Sequence, residues 1–124
     1  MEDMKIYFGQ NEGVGVLSTS NQSGEVNGAI FSRPHCMEDG TIAFIMPERL
    51  SYANLSDNPH AHYLFLQEGP GYKGKRLSLT KVAEEKDTER LFELRKREGG
   101  KDPENPRHLV FFRIEKELPL LGVK

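Results

Sequence analysis

Three stretches of the 124-residue chain carry residue types whose spacing could do chemistry. The first is Arg49-Leu50-Ser51. Ser51 can cap a helix, leaving backbone N–H groups at the positive end of the helix dipole, and Arg49 adds a fixed charge. That arrangement accepts a phosphate, although a capped surface helix beside a solvated arginine has the same sequence. The second is Asn27-Gly28-Ala29, which puts small residues in mid-strand. They leave room for a flat ligand or another backbone, or they mark a plain bulge. The third is Lys73-Gly74-Lys75-Arg76, three cations after a Gly-Pro-Gly loop. Such a run can hold a phosphorylated group or a nicotinamide nucleotide, or can be a solvated loop.

Other chemistries lack their patterns. His60 and His62 share a strand face and His35 adjoins Cys36, but neither Cys-x-x-Cys nor His-Glu-x-x-His spacing supports a metal site. Ser18 and Ser20 lack a Gly-x-Ser-x-Gly setting, and no Gly-x-Gly-x-x-Gly precedes a helix. With one cysteine no intramolecular disulfide can form. Cys36 reads as a loop thiol with nothing nearby in sequence to lower its pKa. Lys plus Arg total 17 against 19 Asp plus Glu, a net charge of −2, which speaks against a general nucleic-acid binder. The longest apolar run, Ile42 to Met46, is far short of the ~20 residues of a membrane helix. Met1 to Lys5 is acidic where a secretory signal is basic, so a cytoplasmic location is expected.

The elements that must position these residues follow from periodicity. At 36% hydrophobic and 29% charged the chain can build a core, and its length suits one domain, 1–124. Residues 3–11 suit a short helix with Met4, Tyr7 and Phe8 on one side. Gly13 to Thr19, the turn cluster Asn21 to Gly24 and the run Glu25 to Arg33 form a hairpin, ended by Pro34. Thr41 to Met46 is a strand after the Asp39-Gly40 turn, and Ser51 caps a two-turn helix that stops at Asn58-Pro59. His60 to Gln67 is a central strand, Gly69 to Gly74 a loop, and Lys75 to Glu85 a long strand with Leu77 and Leu79 on the face opposite Arg76. Asp87 caps a helix to about Glu98 with Leu91, Phe92 and Leu94 inward and Gly99-Gly100 closing it. After a loop with Pro103 and Pro106, Arg107 to Glu117 is a strand whose consecutive Leu109, Val110, Phe111 and Phe112 require cover on both faces and offer more apolar surface than a lone barrel buries, which suits a second subunit. About six short strands with two or three helices make a mainly β antiparallel barrel with helical additions.

In this order the elements resemble the FMN-binding split-barrel family named after pyridoxamine 5'-phosphate oxidase. Gly-Val-Gly-Val-Leu-Ser-Thr after a leading helix and the run Arg49 to His60 carry the likeness over nearly the whole chain. The resemblance implies a six-stranded, Greek-key split β-barrel, homodimeric, with FMN at the subunit interface and an unknown small-molecule substrate, NAD(P)H being a candidate donor. It implies that Asn27, Gly28, Ala29, Ile30, Phe31 and Ser32 lie along the isoalloxazine, mainly through backbone. Ile45, Met46 and Pro47 would line the approach to the ribityl chain, and Arg49, Leu50 and Ser51 would bind the phosphate. Tyr72, Lys73, Gly74 and Arg76 fall where the family closes over the cofactor. Leu50 stands where the family often has a lysine or arginine, which leaves the charge to Arg49. The Trp and the C-terminal Arg-Leu-x-Pro segment that true oxidases use for their substrate are absent. The expected function is that of an FMN-dependent oxidoreductase without a side-chain nucleophile; a split barrel holding haem, a deazaflavin or a nucleotide is the alternative.

Overall fold

The computed structural model describes residues 3–97 and 107–122. The leading helix α1 (Met4–Gln10) is capped by Asp3, whose carboxylate accepts from the Lys5 and Ile6 amides, and it buries Met4, Tyr7 and Phe8 as its spacing requires. Seven strands follow rather than six: β1 (Gly13–Ser20), β2 (Val26–Phe31), β3 (His35–Cys36), β4 (Ile42–Pro47), β5 (His60–Gln67), β6 (Gly74–Lys86) and β7 (Arg107–Pro119). The additional strand, β3, has two residues and follows Pro34, too short for any periodicity to show. It places Cys36 in a ladder against Ile42, half-buried, where burial and then the nearby Asp3 carboxylate raise its thiol.

The sheet order is β2-β1-β5-β6-β7-β4-β3, with every neighbouring pair antiparallel. The sheet curls until β2, at one edge, meets β4, next to the other. No ladder joins these two strands among the described residues, yet the Phe31 and Phe44 rings touch edge to face at 5.8 Å. The concave face holds Leu17, Phe44, Met46, Tyr63, Phe65, Leu77, Leu79, Val110 and Phe112, closed by α1 and by Leu55 of α2 (Leu50–Asp57). The other face of β4 and β7 packs Ala43, Leu109 and Phe111 against Leu91 and Leu94 of α3 (Glu89–Arg97). Phe111 and Phe112 are therefore both covered within one chain, on opposite faces, and provide no surplus apolar surface for a partner.

Three local expectations are corrected. Arg49, not Ser51, occupies the N-cap of α2; Ser51 lies in the first turn and is buried. Thr88 rather than Asp87 caps α3, its Oγ1 accepting from the Leu91 amide at 3.2 Å, while Asp87 takes a left-handed conformation at φ 50°. Phe92 faces solvent at 43% exposure, because Leu91 and Leu94, one turn apart, already fill the contact with the sheet. The expectations for Glu98, Gly99-Gly100, Pro103 and Pro106 lie outside the described residues. Among the described residues no helix is long and apolar enough to cross a membrane.

Candidate functional site

A cleft of about 390 Å³ opens where β2 and β4 face each other without pairing, and the first turn of α2 continues from the end of β4. That size lies within the range of small-molecule sites. Three segments distant in sequence line it: Asn27, Ala29, Ile30, Phe31 and Ser32; Phe44, Ile45, Met46 and Pro47; and Arg49, Leu50 and Ser51. Eleven of the sixteen residues singled out in the sequence are among these twelve. The twelfth, Phe44, was missed, although alternation puts it on the Met46 side of the same strand. Gly28 points the other way: a Cβ there would meet Val16 Cγ1 at 3.3 Å. The β1–β2 register runs without a bulge from Ser20↔Val26 to Gly15↔Phe31, so the small residues are not an irregularity of the ladder.

The lining chemistry is asymmetric. Among the described residues Arg49 is its one cation, exposed at the N-cap of α2, and no carboxylate of theirs lines the cleft. The first N–H groups of α2 have no intrahelical acceptor, as at any helix start, and no side chain caps this one. The rest is apolar apart from Asn27, Ser32 and Ser51. A ligand with a flat apolar body and an anionic end matches this distribution.

Residues that the sequence reading did not single out hold the walls. Tyr63, fully buried on β5, has its hydroxyl 3.1 Å from both the Phe31 and Ser32 carbonyls, so it fixes the end of β2. Burial pushes that hydroxyl well above the usual tyrosine range, keeping it a donor. Asn54 on α2 donates from Nδ2 to Thr19 Oγ1 on β1 at 3.1 Å, and both are buried. At the far end of α2, Asp57 accepts from the Gln22 amide at 2.8 Å. Behind the turn between β4 and α2, His108 Nε2 lies 2.8 Å from Glu48 Oε1, and its ring stacks on Tyr52 at 3.9 Å. The signal for these roles is weak in sequence, since each acts through a partner 31 to 60 positions away.

The basic run sits elsewhere. Tyr72 and Lys73 are exposed on the β5–β6 loop, Gly74 begins β6, and none of these lines the cleft. Arg76 projects away from Leu77 and Leu79 as alternation requires, but donates to the Pro119 and Gly122 carbonyls at 2.9 and 2.6 Å. Lys75 points inward, 2.5 Å from Glu117 and 4.5 Å from the Tyr7 ring centroid. His60 and His62 remain on one face of β5, and among the described residues no three His, Cys, Asp or Glu side chains gather as a metal-holding group.

No protein-family profile and no curated protein matches the sequence. Solved structures do match. An FMN-binding protein from Syntrophomonas wolfei subsp. wolfei superposes with a TM-score of 0.76 at 23% identity, over 94% of this chain and 83% of that one. A proposed pyridoxamine 5'-phosphate oxidase from Listeria innocua gives 0.68 at 19% identity, over 94% of each chain. An F420 reductase gives 0.65 at 18% identity, over 88% of this chain and 91% of that one. With β2 and β4 meeting across an unpaired cleft, the chain has the split-barrel fold of the pyridoxamine 5'-phosphate oxidase-like proteins.

Proposed function

We propose that the protein is an FMN-binding oxidoreductase that holds its flavin in the β2–β4 cleft. The observation that carries this reading is the convergence of three separate segments on one groove with an apolar body and a single cationic end. The fold likeness to an FMN-binding protein supports it. In this reading the backbone of Asn27 to Ser32 runs along the ring, Ile45, Met46 and Pro47 flank the ribityl chain, and Arg49 with the first-turn amides and Ser51 takes the phosphate. Bound flavin supplies the electron-transfer chemistry; the protein binds, orients and sets the electrostatics around it. The absence of acidic lining matters here, since a carboxylate in the cleft would repel the phosphate.

The unit of function is a homodimer. The outer face of the β2–β1–β5 region is apolar: Val14, Ile30 and Leu66 are 52, 70 and 37% exposed, and Val16 and Leu64 lie between them in register. A second copy covering this face would reach Ile30, which also borders the cleft, and so would close the site. Tyr72 and Lys73 remain candidates for contact with cofactor across that interface.

The test is addition of FMN to purified protein, followed by flavin fluorescence and by visible absorption. Stoichiometric uptake supports the reading, and no uptake overturns it. The second reading, a deazaflavin, is favoured by the likeness to the F420 reductase. Mass spectrometry of the ligand released on denaturation separates the two, and also reveals haem or a nucleotide.

A further inference from the structure

Glu48 lies between Pro47 and Arg49, two residues that line the cleft, yet its own carboxylate does not. It is turned to the opposite side, where Oε1 sits 2.8 Å from His108 Nε2 and 3.9 Å from Lys86 Nζ. His108 is fixed for this task. Its side chain is 5% exposed, its ring stacks on Tyr52 of α2 at an interplanar angle of 15°, and Nδ1 is 3.8 Å from Glu84 Oε2. Glu84 is itself 3.5 Å from Lys81. Lys86, Glu48, His108, Glu84 and Lys81 thus form a chain of alternating groups behind the anion end of the cleft, drawn from β6, β7 and the β4–α2 turn.

We propose that His108 is a positioning residue for the anion end of the cleft. It holds the Glu48 carboxylate against β6 and β7, so that Arg49 and the first-turn amides of α2 face the ligand's phosphate. Without that tether Glu48 sits one residue from Arg49 and two residues from Leu50, where the helix starts, the two features that attract an anion. A carboxylate released there competes with phosphate for the same donors and repels it. The inference rests on the reading of the cleft as the site of a phosphate-bearing cofactor.

The experiment compares FMN with riboflavin, which has the same ring and chain but no phosphate, by fluorescence titration of the full-length protein. In His108→Phe, which keeps a ring against Tyr52 but has no donor for Glu48, FMN affinity is expected to fall about tenfold while riboflavin affinity stays within about twofold. Adding Glu48→Gln to that variant removes the competing charge and should restore FMN affinity to within about threefold of the wild type. A loss common to both flavins, or a double variant no better than the single one, overturns the positioning role while the flavin reading stands. If His108→Phe does not fold, Glu48→Asp at a half-exposed side chain keeps the charge but shortens its reach to His108. A selective FMN loss in Glu48→Asp that Glu48→Gln does not show supports the proposal, and equal FMN affinity in both overturns it. If the wild type binds no flavin, the flavin reading fails separately, and inorganic phosphate decides the inference through amide resonances of residues 49–53. The same order of affinities among the variants supports it; no phosphate response, or one equal in all, overturns it.

Discussion

Gly15 and Tyr63 work as one unit across the β1–β5 ladder. A Cβ on Gly15 would stand 1.9 Å from the Tyr63 hydroxyl, the group that holds the Phe31 and Ser32 carbonyls. Gly15→Ala must therefore displace a fully buried ring, and a destabilisation of about 2–3 kcal/mol is expected in urea unfolding. Stability equal to wild type would show that the ring is not so confined. Arg49→Gln leaves the fold alone, since Arg49 is exposed, and removes the one cation of the cleft. FMN affinity should fall about tenfold, more at low ionic strength, in a fluorescence titration repeated at several salt concentrations. At this scale Arg49, Ser51 and the small residues Asn27 to Ala29 stood out by type, as a cation beside a helix start and small residues in mid-strand, whereas Ile45, Met46 and Pro47 were named only through the family resemblance. The sequence did not show Tyr63, Asn54 or His108, whose roles depend on partners that only folding brings near.

The strands were legible because alternation is a local property. Leu77 and Leu79 inward with Arg76 and Ser78 outward, or Met4, Tyr7 and Phe8 on one side of α1, need no knowledge of the partner. β3 was not legible, being two residues that pair only because β4 lies beside them. The start of α2 was misread because Ser51 has the chemistry of a cap, yet the helix begins one residue earlier and buries it. α3 offers a pH test. Glu85 accepts from Thr88 at 2.8 Å and pairs with Arg90, and the Arg90 guanidinium chiefly holds its carboxyl below the usual range. A lowered folded pKa means that this tie is in place above the ordinary carboxylate range and is lost as pH falls through the folded value. Amide exchange at residues 91–94 should therefore speed up between about pH 6 and pH 3, relative to that of β5, beyond the intrinsic change of the amides. Equal protection of both elements across that range would show that Glu85 does not hold α3 to the sheet.

For the whole molecule, the count of about six short strands with two or three helices indicated a mainly β antiparallel barrel, and the described residues form one curled antiparallel sheet of seven strands; Leu109 to Phe112 demanded two covered faces and have them. What covers the second face is α3 of the same chain, so the case for a partner moves to the apolar outer face of β1, β2 and β5. Val14→Asp places a charge in that face away from the cleft lining. By sedimentation the wild type is expected as a dimer and Val14→Asp as a monomer with weaker flavin binding; a monomeric wild type that still holds flavin would remove the shared site. The flavin-binding expectations depend on what the β2–β4 cleft holds. Titration of the purified protein with FMN, read in the visible spectrum, tests this most directly. The account predicts a yellow complex with one flavin per chain and perturbed flavin bands, weakened by Arg49→Gln. Flavin bands that stay those of free FMN, with no flavin retained by the protein after gel filtration, would contradict it.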